Sequence, residues 1–200
     1  MSISNIWVFA QITDGAASSA TLELLTKANS LGGTVTAFVA GSAGDGAAAF
    51  ADHGAAKIYE TGDLAGALPG AAVSAAMKSV IDGGDSPDLV MFPQNYEGRD
   101  VMSRLSVKLD RTVLTNSTDV AVDGDSVSVI TPIFGGAKLV TSTFTGEAPH
   151  LAAFRPKSFE PAGGAGGAGD VVAAPVPDLG ATGGASVTAV HVEETSGPKL

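Results

Sequence analysis

Cysteine is absent from the chain, which removes disulfides, thiol nucleophiles, iron–sulfur clusters and thiolate zinc sites from consideration. Basic residues are scarce: 11 Lys and Arg stand against 21 Asp and Glu in 200 residues, a formal net charge of −10. Binding nucleic acid through its phosphates needs a basic face, so that function class is set aside. Aromatic residues make up only 6% of the chain, so the core has to rely on Ala, Val, Leu and Ile. No apolar run approaches the ~20 residues of a membrane-spanning helix. The opening MSISNIWVFAQ enters a strand-like run with neither a basic leader nor a small-residue cleavage site. These absences lead us to expect a soluble, cytoplasmic protein without membrane insertion or a nucleic-acid partner.

What is present is a folding pattern. Hydrophobic residues reach 44%, enough to bury a core, and 26 glycines favour tight turns and close packing of helices on a sheet. Apolar runs at 6–10, 34–40, 56–60 and 89–92 read as strands. Between them lie helical stretches at 17–31, 46–52 and 69–81, and a further helix is expected to open at Gly98-Arg99-Asp100 and end near Asp110. Gly32-Gly33 and Gly83-Gly84 stop two of these helices, Gly54 sits at a C-cap position, and Pro69 falls in a first turn. Fully apolar strands alternating with helices predict a three-layer αβα fold with a mostly parallel sheet.

After Arg111 the texture changes to short β-like segments at 113–122, 127–133, 138–144 and 151–154, punctuated by Asp123-Gly124 and Gly135-Gly136. This β-rich portion is expected to finish the sheet with antiparallel members or a ribbon. Residues 161–185 hold 8 Gly and 3 Pro, the composition of a flexible connector, and 186–193 reads as one late strand returning to the sheet. The expected organisation is an α/β domain over 1–160, a connector over 161–185 and a final strand with lead-in over 186–200.

Two constellations have the residue types of a site. Gly98-Arg99-Asp100 follows the strand at 89–92, where open α/β sheets place ligand or partner sites. Asp100 in a first helical turn is explained by the helix dipole, whereas Arg99 is disfavoured there and calls for a carboxylate or phosphate partner, such as a neighbouring domain. Both are interface candidates. Gly41, Gly44 and Gly46 follow the second strand and form a weaker anion-site candidate through their backbone amides, although a plain turn uses the same glycines. Gly164-x-Gly166-x-x-Gly169 matches a dinucleotide fingerprint only formally, having no strand before it or helix after it. His53, His150 and His191 stand apart from one another, without metal-ligand spacing. No nucleophile with its base is recognisable, so a hydrolase is set aside.

The ordered set of segments resembles the electron-transfer flavoprotein alpha subunits. The resemblance is carried by IWVFA (6–10), TLELLTKA (21–28), VAG (39–41), DHGAAKI (52–58), PDLVMFP (87–93) leading to GRD (98–100), RL (104–105), KLD (108–110), PIFGGAK (132–138) and FRPKSF (154–159). It implies the N-terminal domain of a heterodimeric flavin carrier. In such carriers a C-terminal domain of the alpha subunit holds most of the FAD site, and the beta subunit resembles the N-terminal domain and binds AMP. The assembly takes electrons from acyl-CoA and related dehydrogenases and passes them to a quinone reductase or another acceptor. Gln11 replaces the acid common after the first strand, and no glycine-rich strand-to-helix turn leads into a flavin domain. The family's FAD-contacting residues therefore map to no position here. The expectation is a scaffold and subunit-interface domain without a catalytic constellation; the alternative is a free-standing adenine-nucleotide-binding domain.

Overall fold

The computed structural model describes residues 3–189 and 191. The chain runs β1 (Asn5–Ala10), a small hairpin β2 (Ile12–Thr13) and β3 (Ala16–Ala17), α1 (Ser19–Ser30), β4 (Thr34–Val39), α2 (Gly46–Asp52), β5 (Ala55–Glu60), α3 (Pro69–Asp82), β6 (Leu89–Pro93) and α4 (Tyr96–Leu109). There follow β7 (Val113–Ser117), β8 (Asp119–Asp123), β9 (Ser126–Ile133), β10 (Lys138–Thr143), β11 (His150–Phe154) and β12 (Asp170–Ala173).

Seven strands form one sheet in the order β12-β5-β4-β1-β6-β11-β7, and every pairing in it is parallel. Strand residues alternate between two faces. Ile6, Val8, Val39 and Met91 pack with Leu24, Leu25 and Ala28 of α1 and Phe50 of α2. Trp7, Phe9, Phe38, Val90 and Phe92 pack with Val73 and Met77 of α3 and Val101 and Leu105 of α4. Both faces are covered, which is why the strands read as unbroken apolar runs. The few large aromatics are spent here, with Trp7, Phe9, Phe38, Phe50, Phe92 and Phe154 all fully buried.

Local signals set the helix starts. Ser18 caps α1 by accepting from the Thr21 amide at 3.2 Å, and Asn95 caps α4 by accepting from the Gly98 amide at 2.9 Å. The α4 helix therefore opens at Tyr96, ahead of the expected start at Gly98. Asp100 lies beyond the cap.

Of the two forms expected for the β-rich portion, antiparallel members of the main sheet do not occur among the described residues; β8, β9 and β10 instead form a separate antiparallel sheet, while β7 and β11 join the main sheet in parallel. Val120, Val127 and Val129 of that sheet pack on the α1 side, and Lys27 of α1 pairs with Asp119 at 2.8 Å. The physical reason is pairing space: β11 returns between β6 and β7, leaving only outer edges on the parallel sheet. Within residues 161–185, the Gly164 amide bonds Asp52 at 3.0 Å, Ala162 bonds Thr26 at 3.1 Å, and β12 pairs with β5. This stretch thus contains a sheet strand that its glycine content concealed. Of the strand expected over 186–193, Ser186 makes one bridge to Ala67 and 187–189 carry no strand. The remainder, His191 apart, lies outside the described residues.

Candidate functional site

From β1 the chain moves outward to β4 and β5, and α3 then carries it back across the sheet to β6. Loops leaving the C-terminal ends of β1 and β6 diverge at this reversal, the place where open α/β sheets form crevices. A cavity of about 610 Å³ opens there, lined by Gln11, Thr13, Asp14, Ser18, Asn95 and Glu97 among others. Its floor is a polar network. Asn95 donates to the Gln11 side-chain oxygen at 2.7 Å, Gln11 donates to Glu97, and the Gln11 amide bonds Thr21 Oγ1 at 2.8 Å. Gln11, which drew notice in the sequence only as the replacement for an acid, ties β1 to α4.

Arg99 and Asp100 do not act together. The Arg99 guanidinium lies over the Tyr96 ring, 5.2 Å from its centroid, and bonds the Asn95 carbonyl at 3.3 Å. Tyr96 is 87% exposed, so the pair forms an aromatic–cation surface feature. Asp100 instead pairs with Arg104 at 2.8 Å and lies against Gly70 of α3, where a Cβ would collide with its carboxylate. It thus stands at the contact between α4 and α3.

The Gly41, Ala43 and Gly46 amides of this loop have internal partners. Glu60 Oε2 accepts from the Ala43 amide at 2.9 Å and from Ser42 Oγ at 3.1 Å. The Gly41 amide bonds Thr61 Oγ1 at 2.8 Å, and the Gly46 amide bonds the Ala43 carbonyl at 2.9 Å. An anion entering this loop would compete with the Glu60 carboxylate. Gly46 also serves packing, because a Cβ there would strike Ile12.

Two features were not among the candidate sites read from the sequence. On β5, Lys57 and Tyr59 both bond Asp85 Oδ2, at 2.7 and 2.6 Å, while Asn5 bonds Asp85 Oδ1 at 3.0 Å. Burial opposes ionisation of Asp85, yet the bonds from Lys57, Tyr59 and Asn5 hold its pKa below the ordinary carboxylate value. At the other feature, β9 and β10 pair as far as Ile133 with Lys138, whereas the β8–β9 pairing begins at Asp119 with Ile130. The end of the hairpin thus overhangs β8 and exposes Phe134 (80%) and Leu139 (68%).

The electron transfer flavoprotein domain matches residues 6–179 of the chain. The chain belongs to this family. It is 32% identical over 173 residues to an electron transfer flavoprotein subunit alpha of Syntrophomonas wolfei, covering 85% of this chain and 53% of that protein. It is 28% identical over 163 residues to Protein FixB of Clostridium saccharobutylicum, covering 78% of this chain and 48% of that protein. The chain thus spans about half the length of the curated relatives it matches.

Neither the switch-point cavity nor the Gly41–46 loop fits the pyrophosphate of a flavin dinucleotide. That group calls for free amides or cations. The switch-point cavity is instead lined by Asp14 and Glu97 with no Lys or Arg, and the Gly41–46 loop is already bonded to Glu60.

Proposed function

We propose that this chain is the scaffold and subunit-interface part of an electron transfer flavoprotein alpha subunit. The observation that carries the reading is the β8–β10 sheet with its overhanging hairpin, joined to family membership. Phe134, Leu139 and Val140 are apolar and exposed, and all six residues of β10 but one are open to solvent. An exposed apolar strand at a sheet edge is a liability unless a partner covers it. In this reading the beta subunit, carrying AMP, covers that surface. FAD is held by sequence outside these 200 residues, and the assembly moves electrons in the cytoplasm from acyl-CoA-type dehydrogenases to a quinone reductase or another acceptor. Arg99 and Asp100 stand on α4, which packs on the opposite face of the main sheet from α1 and the β8–β10 sheet. Arg99, stacked on exposed Tyr96, is the better contact of the two.

Calorimetric titration with the cognate beta subunit tests this. Phe134→Asp with Leu139→Asp is expected to weaken binding at least about a hundredfold, the loss of one or two interface anchors, with no fall in the thermal midpoint. Absence of binding by the wild-type chain would sink the proposal.

A further inference from the structure

Among the described residues, one buried side-chain polar atom has no hydrogen-bond partner: Nε1 of Trp7. Trp7 is fully buried on β1, and its ring lies 5.8 Å from Tyr59 and 5.5 Å from Phe38, centroid to centroid. An orphaned buried donor in a native core asks for an explanation. Its neighbour Tyr59 is in the opposite condition, because its hydroxyl donates to the Asp85 carboxylate at 2.6 Å. That carboxylate is fixed by Lys57 at 2.7 Å and by Asn5 at 3.0 Å. Two oxidisable rings are therefore in contact, one unable to give up its proton and the other provided with an acceptor.

We propose that Trp7, Tyr59 and Asp85 form a relay that moves a one-electron oxidising equivalent out of the core. A one-electron oxidant of the carbonate-radical class takes an electron from Trp7, is itself reduced to carbonate, and leaves the indole radical cation. With no acceptor at Nε1, this cation cannot relax by losing a proton, so it stays strongly oxidising. It takes an electron from Tyr59 as the phenolic proton crosses the hydrogen bond to Asp85. The products are neutral Trp7, a tyrosyl radical and a protonated Asp85, so one electron and one proton have moved and none is lost. A water-soluble one-electron donor of the ascorbate class then reduces the tyrosyl radical while the proton returns from Asp85 to the phenolic oxygen, and the proton that the oxidised donor sheds goes to solvent; this restores the starting state. Lys57 and Asn5 serve as positioning residues by holding the carboxylate in line with the hydroxyl. A purely structural cluster would pin β5 to the turn before β6 equally well, but it would carry no radical.

The composition makes the test clean, since the chain has one Trp, two Tyr and no Cys, and the second tyrosine, Tyr96, is a surface residue. Flash photoionisation of the whole chain at the red edge of the indole absorption, in aerated buffer where dioxygen takes the ejected electron as superoxide, generates the Trp7 radical. Transient absorption then follows indole-radical decay and tyrosyl-radical growth. In the wild type and in Tyr96→Phe the two rates are expected to coincide, independent of protein concentration. Tyr59→Phe should abolish the tyrosyl signal and lengthen the indole-radical lifetime about tenfold or more. Asp85→Asn should slow transfer by a similar factor, that of one charged hydrogen bond. Because Asp85→Asn also removes the Lys57 ion pair, the solvent deuterium effect on the wild-type rate gives a reading free of folding changes, and slower transfer in heavy water is expected. An indole-radical lifetime unchanged by Tyr59→Phe would overturn the relay, and a rate insensitive to deuterium would overturn the proton step.

Discussion

Gly98→Ala should loosen the attachment of α4 to the sheet. Gly98 is buried in the first turn of α4 and its amide is capped by Asn95. A Cβ on Gly98 would collide with the Pro93 carbonyl oxygen and lie 3.1 Å from both the carbonyl carbon and Cγ of Pro93. The obstacle is the main chain of β6, which cannot swing aside like a side-chain tip, so the helix has to lift. Overpacking of this kind costs about 1–3 kcal/mol, and the better helix propensity of alanine returns up to about 1 kcal/mol. The expected net loss is about 1–2 kcal/mol. With a urea slope of about 3 kcal/mol/M, the denaturation midpoint should fall by about 0.3–0.7 M, and the thermal midpoint by about 2–8 °C. Gly83→Ala is the control. Gly83 has φ −74°, its nearest obstruction is the Val80 carbonyl oxygen at 3.3 Å, and no comparable loss is expected. A Gly98→Ala midpoint at or above wild type would refute the close-approach argument.

Asn95→Ala removes both the α4 cap and the bond to Gln11, so a loss of about 1–2 kcal/mol is expected in the same denaturation assay; an unchanged midpoint would mean the network at the switch point is incidental. His150 is held below its ordinary value of 6.5 by burial, with Arg111 reinforcing and Asp88 opposing. It is therefore neutral in the fold, and stability should decline as pH falls below about 6.5 towards the folded value. His150→Gln should flatten that limb, and an identical pH profile would count against it. Asp85 is depressed by its bonds, so its contribution is present above about pH 4 and lost as pH falls through its lower folded value. Asp85→Asn should lower stability at neutral pH and remove that acid limb, as measured by thermal unfolding between pH 2 and pH 7.

The alternating strands and helices as far as α4 were legible because a sheet covered on both faces demands continuous apolar runs, and IWVFA and LVMF supply them. Helix stops were legible at Gly32-Gly33 and Gly83-Gly84, where Gly32, Gly33 and Gly84 take the positive φ that favours glycine. The start of α4 was misplaced by two residues because the capping asparagine, Asn95, lies inside a polar loop and Gly98 looked like the turn. The candidate site was legible only as a place. Gln11 lies 84 residues from Asn95 and 86 from Glu97 in sequence yet meets both across the crevice, and no local spacing announces such a meeting.

Sequence alone determined the fold class, the absence of thiol chemistry and the family pattern, since composition, periodicity and ordered motifs are local properties of the chain. Tertiary structure decided the rest. It inserted β11 between β6 and β7, turned the antiparallel strands into a sheet of their own, and drew part of a glycine-rich connector into the parallel sheet as β12. It filled the loop at Gly41–46 with the Glu60 carboxylate and divided Arg99 from Asp100, one to the surface and one to the α3 contact. Each of these outcomes depends on which edge, amide or cation stands beside a residue in space, and pairing across tens of residues fixes that.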